Sequence, residues 1–365
     1  MDLAELTTLR VGGTAERLIA PATPAELVAE TRVVWATGDE WIAIGGGSNM
    51  VVSDDGVPGT VIHVVTRGIE RLAGDGVLLR VQAGEPWDAL VRYTVERGWA
   101  GLEALSGIPG SCGAAPIQNI GAYGQELSST LVSIEFLDYL TGELLRLPAA
   151  ELELGYRRSA LKAGRAGIVV SIDLRLAENA GGLSDPIDYP QLATALGVSV
   201  GDRLPVTAVR SAVLALRASK GMVLDPADPD SVSAGSFFTN PIVSEEFARS
   251  LPSDVPRWAV GATEGRPTVV PLDRYDPALL PPVAPASRGV KLSAAWLIEH
   301  SGLPRGFRLP GSRAAISGKH SLAIVNTGGA TASQIAELAR YIQTRVLGAY
   351  GVLLQPEPVL VGVHV

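Results

Sequence analysis

The sequence predicts an α+β protein of two or three domains. Three observations carry this. Helix-start signals recur between short apolar runs, the runs in the middle of the chain alternate with period two, and 365 residues exceed one domain of roughly 100–200 residues. Thr23-Pro24-Ala25-Glu26 is a capping box with proline at the first helical position, so a helix begins there. Trp41 to Ile44 reads as a short buried strand running into Gly45-Gly46-Gly47-Ser48-Asn49, and Thr60 to Val65 as another strand. Val77 to Ala83 is strand-like. Trp87 to Arg97 sets Trp87, Leu90, Val91, Thr94 and Val95 on one helical face, and Gly98 stops that helix. Val132 to Asp138 and Ile168 to Leu176 alternate like half-buried strands.

From Val206 the pattern changes to a helix, Val209 to Ala218, then a polar loop and the segment Ser233 to Val243, which predicts a domain boundary near residue 204. Pro252 to Pro285 holds eight of the 25 prolines, which forbids a long helix or central strand and predicts an extended surface excursion. Lys291 to His300 resumes a helix, ended by Gly302. Thr331 and Gln334 form a second capping box ahead of the stripe Ile335, Leu338, Ala339, Ile342 and Val346. Val359 to Val363 closes the chain as an apolar strand. No internal repeat or low-complexity tail is present.

Composition removes several classes of function. Thirty basic against 38 acidic residues leave a formal charge of −8, which argues against a nucleic-acid binder held by a general basic surface but permits a local phosphate site. The single cysteine, Cys112, rules out an intramolecular disulfide and a multi-cysteine zinc site and predicts a reducing compartment. His63, His300, His320 and His364 are scattered, without a metal-ligand spacing, so no metal is expected. The amino terminus mixes Asp2, Glu5, Arg10, Glu16 and Arg17, unlike a secretory signal. Ala104 to Gln125 is uncharged and long enough to span a bilayer, yet it carries five glycines and two prolines, a backbone that lipid cannot satisfy. A cytoplasmic protein without a membrane partner is expected.

Glycine (41) and proline (25) make about 18% of the chain, against roughly 12% in an average protein. Much of the glycine lies in two loops. Gly45 to Asn49 follows a strand but is no dinucleotide fingerprint, because Met50 stands where the last glycine of G-x-G-x-x-G would be and no helix follows. By itself this loop is either a tight turn or a backbone cradle for an anion such as a pyrophosphate. The second loop, Ser106 to Gly124, is nineteen residues without charge, mostly small or amide-bearing, a composition suited to a planar, hydrogen-bonding cofactor.

These two loops, Gly45 to Asn49 and Ile108-Pro109-Gly110 through Gln118-Asn119-Ile120-Gly121-Ala122-Tyr123-Gly124, resemble the flavin-binding region of the UDP-N-acetylenolpyruvoylglucosamine reductase family. Four further segments resemble its motifs in order: Gly155-Tyr156-Arg157-Arg158-Ser159, Ala234 to Pro241 (A-G-S-F-F-T-N-P), Lys291 to Ile298 (K-L-S-A-A-W-L-I) and Leu354-Gln355-Pro356-Glu357-Pro358-Val359. The resemblance runs from about Thr7 to Val363. It implies three domains: residues 1–66 with about 331–365, residues 67–203, and residues 204–330. The first two would form an FAD-binding type-2 module of the vanillyl-alcohol-oxidase kind, and the third, α+β, would cover the substrate.

The family passes hydride from NADPH to FAD and from the flavin to C3 of the enolpyruvyl ether of UDP-N-acetylglucosamine, and a proton then reaches C2 to give UDP-N-acetylmuramate. By resemblance Arg157 stabilises the enolate-like charge, Ser236 donates the proton to C2, and Glu357 polarises the enolpyruvyl group. The resemblance assigns non-covalent FAD to Ile44, Gly45, Gly46, Gly47, Ser48, Asn49, Ile108, Pro109, Gly110, Gly113, Ala114, Ile117, Gln118, Asn119, Gly121, Ala122, Tyr123 and Ile168. It assigns substrate contacts to Tyr156, Tyr189, Arg217, Lys220, Asn240 and Lys291, with Tyr189 in the loop of the longer family type. A monomer is expected. Ala114 and Ala115 stand where some members have serines, which removes two hydroxyl contacts to the cofactor phosphates. Two alternatives stand beside this: another FAD-dependent sugar or lactone oxidoreductase of the same fold, and a non-catalytic UDP-sugar-binding protein.

Overall fold

The amino-terminal region contains β1 (Ala15–Ile19), α1 (Pro24–Thr37), β2 (Trp41–Ile44), β3 (Met50–Val52) and β4 (Val57–His63) in a computed structural model that describes residues 1–260 and 289–365. β1 and β2 flank β4 in parallel. Parallel neighbours need a crossover, and between β1 and β2 the crossover is α1. This helix starts at its capping box: the Thr23 hydroxyl accepts from the Glu26 N–H at 3.2 Å and the Glu26 carboxylate accepts from the Thr23 N–H at 3.0 Å. Gly38 ends it in the left-handed conformation at φ 76°.

The second region is built on a five-stranded antiparallel sheet of β5 (Ile69–Leu72), β6 (Val77–Gln82), β9 (Leu131–Asp138), β10 (Leu144–Pro148) and β11 (Gly167–Leu176), in the order β10-β9-β11-β6-β5, beside the small hairpin of β7 (Gly121–Ala122) and β8 (Gln125–Glu126). α2 (Trp87–Val95) buries all five residues of its expected face, Trp87, Leu90, Val91, Thr94 and Val95. The core under this sheet includes Leu27, Val34 and Ile62, so the first two regions share one apolar interior. α3 (Pro190–Leu196) and α4 (Val206–Ala218) pack on the same region. Val209 and Val213 of α4 lie against Ile187, Leu192 and Ala104, and Arg210 grips Asp88 of α2 with two bonds of 2.7 Å. The helix that opens at the pattern change near 204 thus packs on the second region.

The third region contains β12 (Ile242–Ser244), α5 (Glu245–Ser250), β13 (Arg257–Val260), β14 (Gly289–Leu292), α6 (Ala294–His300), β15 (Ala314–Ile316), β16 (Ile324–Asn326), α7 (Ala332–Tyr350) and β17 (Val359–Val361). The expected helix from Lys291 begins later: Lys291 and Leu292 belong to β14, and the Ser293 hydroxyl caps α6 by accepting from the Trp296 N–H. The start of the Pro252 to Pro285 excursion forms β13, an edge strand of the sheet β12-β14-β13, and its part in 261–288 lies outside the described residues. α7 buries the expected stripe in a core with Phe237, Leu297, Ile316 and Ile324, to which Leu9, Val11 and Val51 also belong. A nineteen-residue amphipathic helix needs a broad apolar partner, and α6 with β15 and β16 supplies it. β17 returns to the first region, where it pairs in parallel with β3, and the start of α7 also meets that region through the Asp54 carboxylate, which accepts from the Ala332 and Ser333 N–H groups.

Candidate active site

The return of β17 brings three distant motifs to the glycine loop after β2. The Val359 N–H donates to the Asn49 carbonyl at 2.9 Å, and the Asn49 side-chain amide donates to Gln118 Oε1 at 2.8 Å and to the Glu357 carbonyl at 3.3 Å. Residues 355–357 also run beside 237–239: the Glu357 N–H donates to the Phe237 carbonyl at 2.8 Å and the Thr239 N–H to the Gln355 carbonyl at 3.0 Å. This pairing carries Ser236 to Glu357. Phe237 and Phe238 are fully buried and Gly235 takes a left-handed φ of 76°, so Ser236 is held at the surface of the cleft by its neighbours.

Arg157 sits at the tip of a tight turn closed by reciprocal Gly155 and Arg158 backbone bonds of 3.1 Å, and it adopts φ 53°. The Ser159 hydroxyl donates to the Ile117 carbonyl, and Arg157 Nη2 donates to the Gly121 carbonyl at 2.9 Å. G-Y-R-x-S is thus bolted to the second loop. Arg157 Nε lies 3.0 Å from Glu357 Oε1, with its N–H directed off the oxygen, so the contact is an ion pair without an aligned hydrogen bond. Burial pushes the Glu357 carboxyl above its usual range, against the pull of Arg157 and Lys162.

The two loops approach backbone to backbone. A Cβ on Gly46 would sit 2.7 Å from Gly110 Cα, and the Ser48 hydroxyl donates to the Pro109 carbonyl at 2.9 Å. Between them and the third region lies a cleft of about 1270 Å³, including its open mouth. Its walls include Gly45, Gly46, Gly47, Ser48, Asn49, Ile108, Pro109, Gly110, Ala114, Ile117, Gln118, Gly121, Arg157, Arg217, Ser236 and Glu357. A second cavity holds Ile44, Gly113 and Ile168 and shares Ala43, Gly45, Ser111, Ala114 and Ile117 with the first. The two cavities adjoin, with Gly45 and Ser111 in both walls, and side by side they suit an extended dinucleotide.

Other assigned residues fall elsewhere. Asn119 is fully buried, and its side chain serves the fold: the amide donates to Glu126 at 2.9 Å and Gly155 at 3.2 Å, and the carbonyl accepts from the Ser128 N–H at 2.9 Å. Ala122 packs against the core of the second region. Tyr123 meets Tyr189 edge-on at 5.6 Å, with Lys220 Nζ 5.7 Å from the Tyr123 ring, outside both chambers. Tyr156 and Asn240 line a neighbouring cavity that shares Arg157, and Lys291 lies 5.1 Å over the Tyr156 ring.

Arg217 is the most telling of the cations. It is 9% exposed, its Nη2 donates to the Met222 carbonyl at 2.8 Å, and its Nε is buried without a partner among the described residues. Burial draws it down to about 10. A buried guanidinium in a cleft wall, paired with no carboxylate among the described residues, calls for an anionic ligand. Lys162 in the same wall was not singled out in the sequence; it is held below the usual lysine range by burial, and only its place three residues after Ser159 could have flagged it. Among the described residues no cluster of His, Cys, Asp and Glu could hold a metal, and no helix is long and apolar enough to cross a membrane.

Comparison with known proteins agrees with this arrangement. Residues 15–148 match the FAD binding domain family, and residues 226–361 match the family described as UDP-N-acetylenolpyruvoylglucosamine reductase, C-terminal domain. A UDP-N-acetylenolpyruvoylglucosamine reductase of Leifsonia xyli is 62% identical over 99% of this chain and 98% of its own length. The chain belongs to the UDP-N-acetylenolpyruvoylglucosamine reductase family. A relative of the same name from Streptomyces coelicolor is 47% identical, covering 99% of this chain and 89% of that protein. The crystal structure of the Thermus caldophilus reductase superposes with a TM-score of 0.62 at 27% identity, covering 99% of this chain and 97% of that one. The fold is therefore the FAD-binding module followed by the reductase carboxyl-terminal domain, and the protein is an FAD-dependent oxidoreductase of this family.

Proposed function

We propose that the chain reduces UDP-N-acetylglucosamine enolpyruvate to UDP-N-acetylmuramate, with FAD and NADPH, in peptidoglycan precursor synthesis. The observation that carries this reading is the convergence of Arg157, Ser236 and Glu357, from three separate motifs, on the cleft between the glycine loops. The residues fit FAD, whose bound form would relay two electrons from NADPH to C3 of the enolpyruvyl group. Each protein group has a task beside it. Arg157 is fixed by two loop carbonyls, so its charge is already oriented toward a substrate carboxylate that gains electron density. Ser236 donates a proton to C2, a transfer open to a weak acid because the acceptor is carbanionic. Glu357, its carboxyl raised by burial, holds a proton more readily than an exposed glutamate and orients the enolpyruvyl group from beside Arg157. Arg217 supplies a buried positive charge for the diphosphate or carboxylate of the nucleotide sugar, with Tyr189, Lys220, Asn240, Tyr156 and Lys291 around the mouth.

The flavin is held non-covalently, since Cys112 is fully buried and its thiol is pushed well up by that burial, which makes it a poor nucleophile. We extend the reading to a cytoplasmic monomer without a nucleic-acid partner, in keeping with the net charge of −8 and a lone thiol. For the domains, packing supports a first region to about residue 66, a second that includes α4, and a third built around α7, with β17 returning to pair with β3. The steady-state test is NADPH consumption by the purified full chain. Consumption only when the enolpyruvyl sugar nucleotide is present supports the reading; sugar-nucleotide binding by a protein whose denatured extract contains no flavin rejects it.

A further inference from the structure

The catalytic groups Arg157, Ser236 and Glu357 all line the first chamber and none lines the second. On the proposed function, the redox end of FAD must occupy the first chamber, which leaves the second for the adenosine end. The second chamber suits an uncharged ring. Its walls are largely apolar, with Val64, Phe136, Leu161 and Ile168 among them, and its cation, Arg165, is paired with Asp138 at 3.2 Å. The strand β11 borders it, and the ladder to β6 begins only at Ser171, so the β6-side edge of residues 167–169 is free of strand pairing and can meet the polar edge of a purine.

Trp41 stands at the outer end. It lines both this chamber and an outer depression, so it stands between them. Trp35 at 5.2 Å and Tyr139 at 5.5 Å brace it from the outside. We infer that Trp41 is a cofactor-binding residue that closes the far chamber and packs on the adenine ring of FAD, and that it sets the preference for the dinucleotide over FMN. The inference rests on the flavoprotein reading, and the test separates the two.

Full chain stripped of flavin is titrated separately with FAD and with FMN, which lacks the adenine. Wild type binds FAD more tightly. Loss of base stacking is worth about tenfold or more in affinity, so Trp41→Leu is expected to weaken FAD binding by about that factor and leave FMN binding within about twofold. Trp41→Phe, which keeps an aromatic face and the contact with Trp35, is expected to lose about two- to fivefold on FAD alone, and it decides the matter if the leucine variant does not fold. Equal losses for both flavins, or no loss for FAD in either variant, overturn the role of Trp41. Failure of the wild type to bind either flavin overturns the flavoprotein reading instead.

Discussion

Ser236→Ala is expected to leave reduction of the flavin by NADPH unchanged and to slow its reoxidation by UDP-N-acetylglucosamine enolpyruvate by a factor on the order of 10²–10⁴, the range for loss of a positioned general acid. The split follows from position. Ser236 is carried by the pairing of residues 237–239 with 355–357 and faces the cleft beside Glu357, so it can touch the substrate after hydride transfer but has no part in accepting hydride from NADPH. Its removal takes away one hydroxyl and leaves Gly235, Phe237 and Phe238 undisturbed, so the fold should persist. Rapid-mixing absorbance of the two half-reactions measures each separately. Equal losses in both would reject the proton-donor role and point to a displaced cofactor.

Arg157→Met should lower kcat/KM by about 10²–10³, the size of effect seen when an oriented charge-stabilising group is removed from an active site. Arg157→Lys should recover little, because lysine cannot reach the Asn119 and Gly121 carbonyls as a fork while lying beside Glu357. The methionine variant also leaves Glu357 buried without its close cation. A carboxyl whose folded pKa stands above its unfolded value binds more protons in the folded state, so it costs stability as pH rises through the interval between the two values. Removing Arg157 widens that interval. The melting temperature of Arg157→Met should therefore fall more between about pH 5 and pH 8 than that of wild type, and parallel melting curves would show that Glu357 does not depend on Arg157.

Much of the local structure was legible because it is written in short-range signals. The capping box Thr23 to Glu26 sets the start of α1, and the spacing of Trp87, Leu90, Val91, Thr94 and Val95 identifies the buried face of α2. What the sequence misplaced depends on partners far along the chain. The stripe of α7 shows which face is apolar but not which surface it meets. Lys291 and Leu292 extend the apolar pattern of α6 backward, while the pairing of β14 with β12 and β13 makes them strand; Ser293 carried the cap without the usual acidic partner three residues on.

The site divides the same way. Motif resemblance singled out the residues that line the cleft, yet it could not tell a side chain that faces a ligand from one that holds the loop. Asn119 and Ser48 both bear hydrogen-bonding groups of the expected type, and both direct them to the protein: Asn119 to Gly155 and Glu126, Ser48 to Pro109. Lys162 belongs to no motif, and only the fold brings it into the cleft wall.

The anaerobic visible spectrum of the purified full chain tests the central claim most directly. Addition of NADPH should bleach the bound flavin, and one equivalent of UDP-N-acetylglucosamine enolpyruvate should restore its colour without oxygen. A colourless protein, or a reduced flavin that regains colour only when air is admitted, would contradict the account.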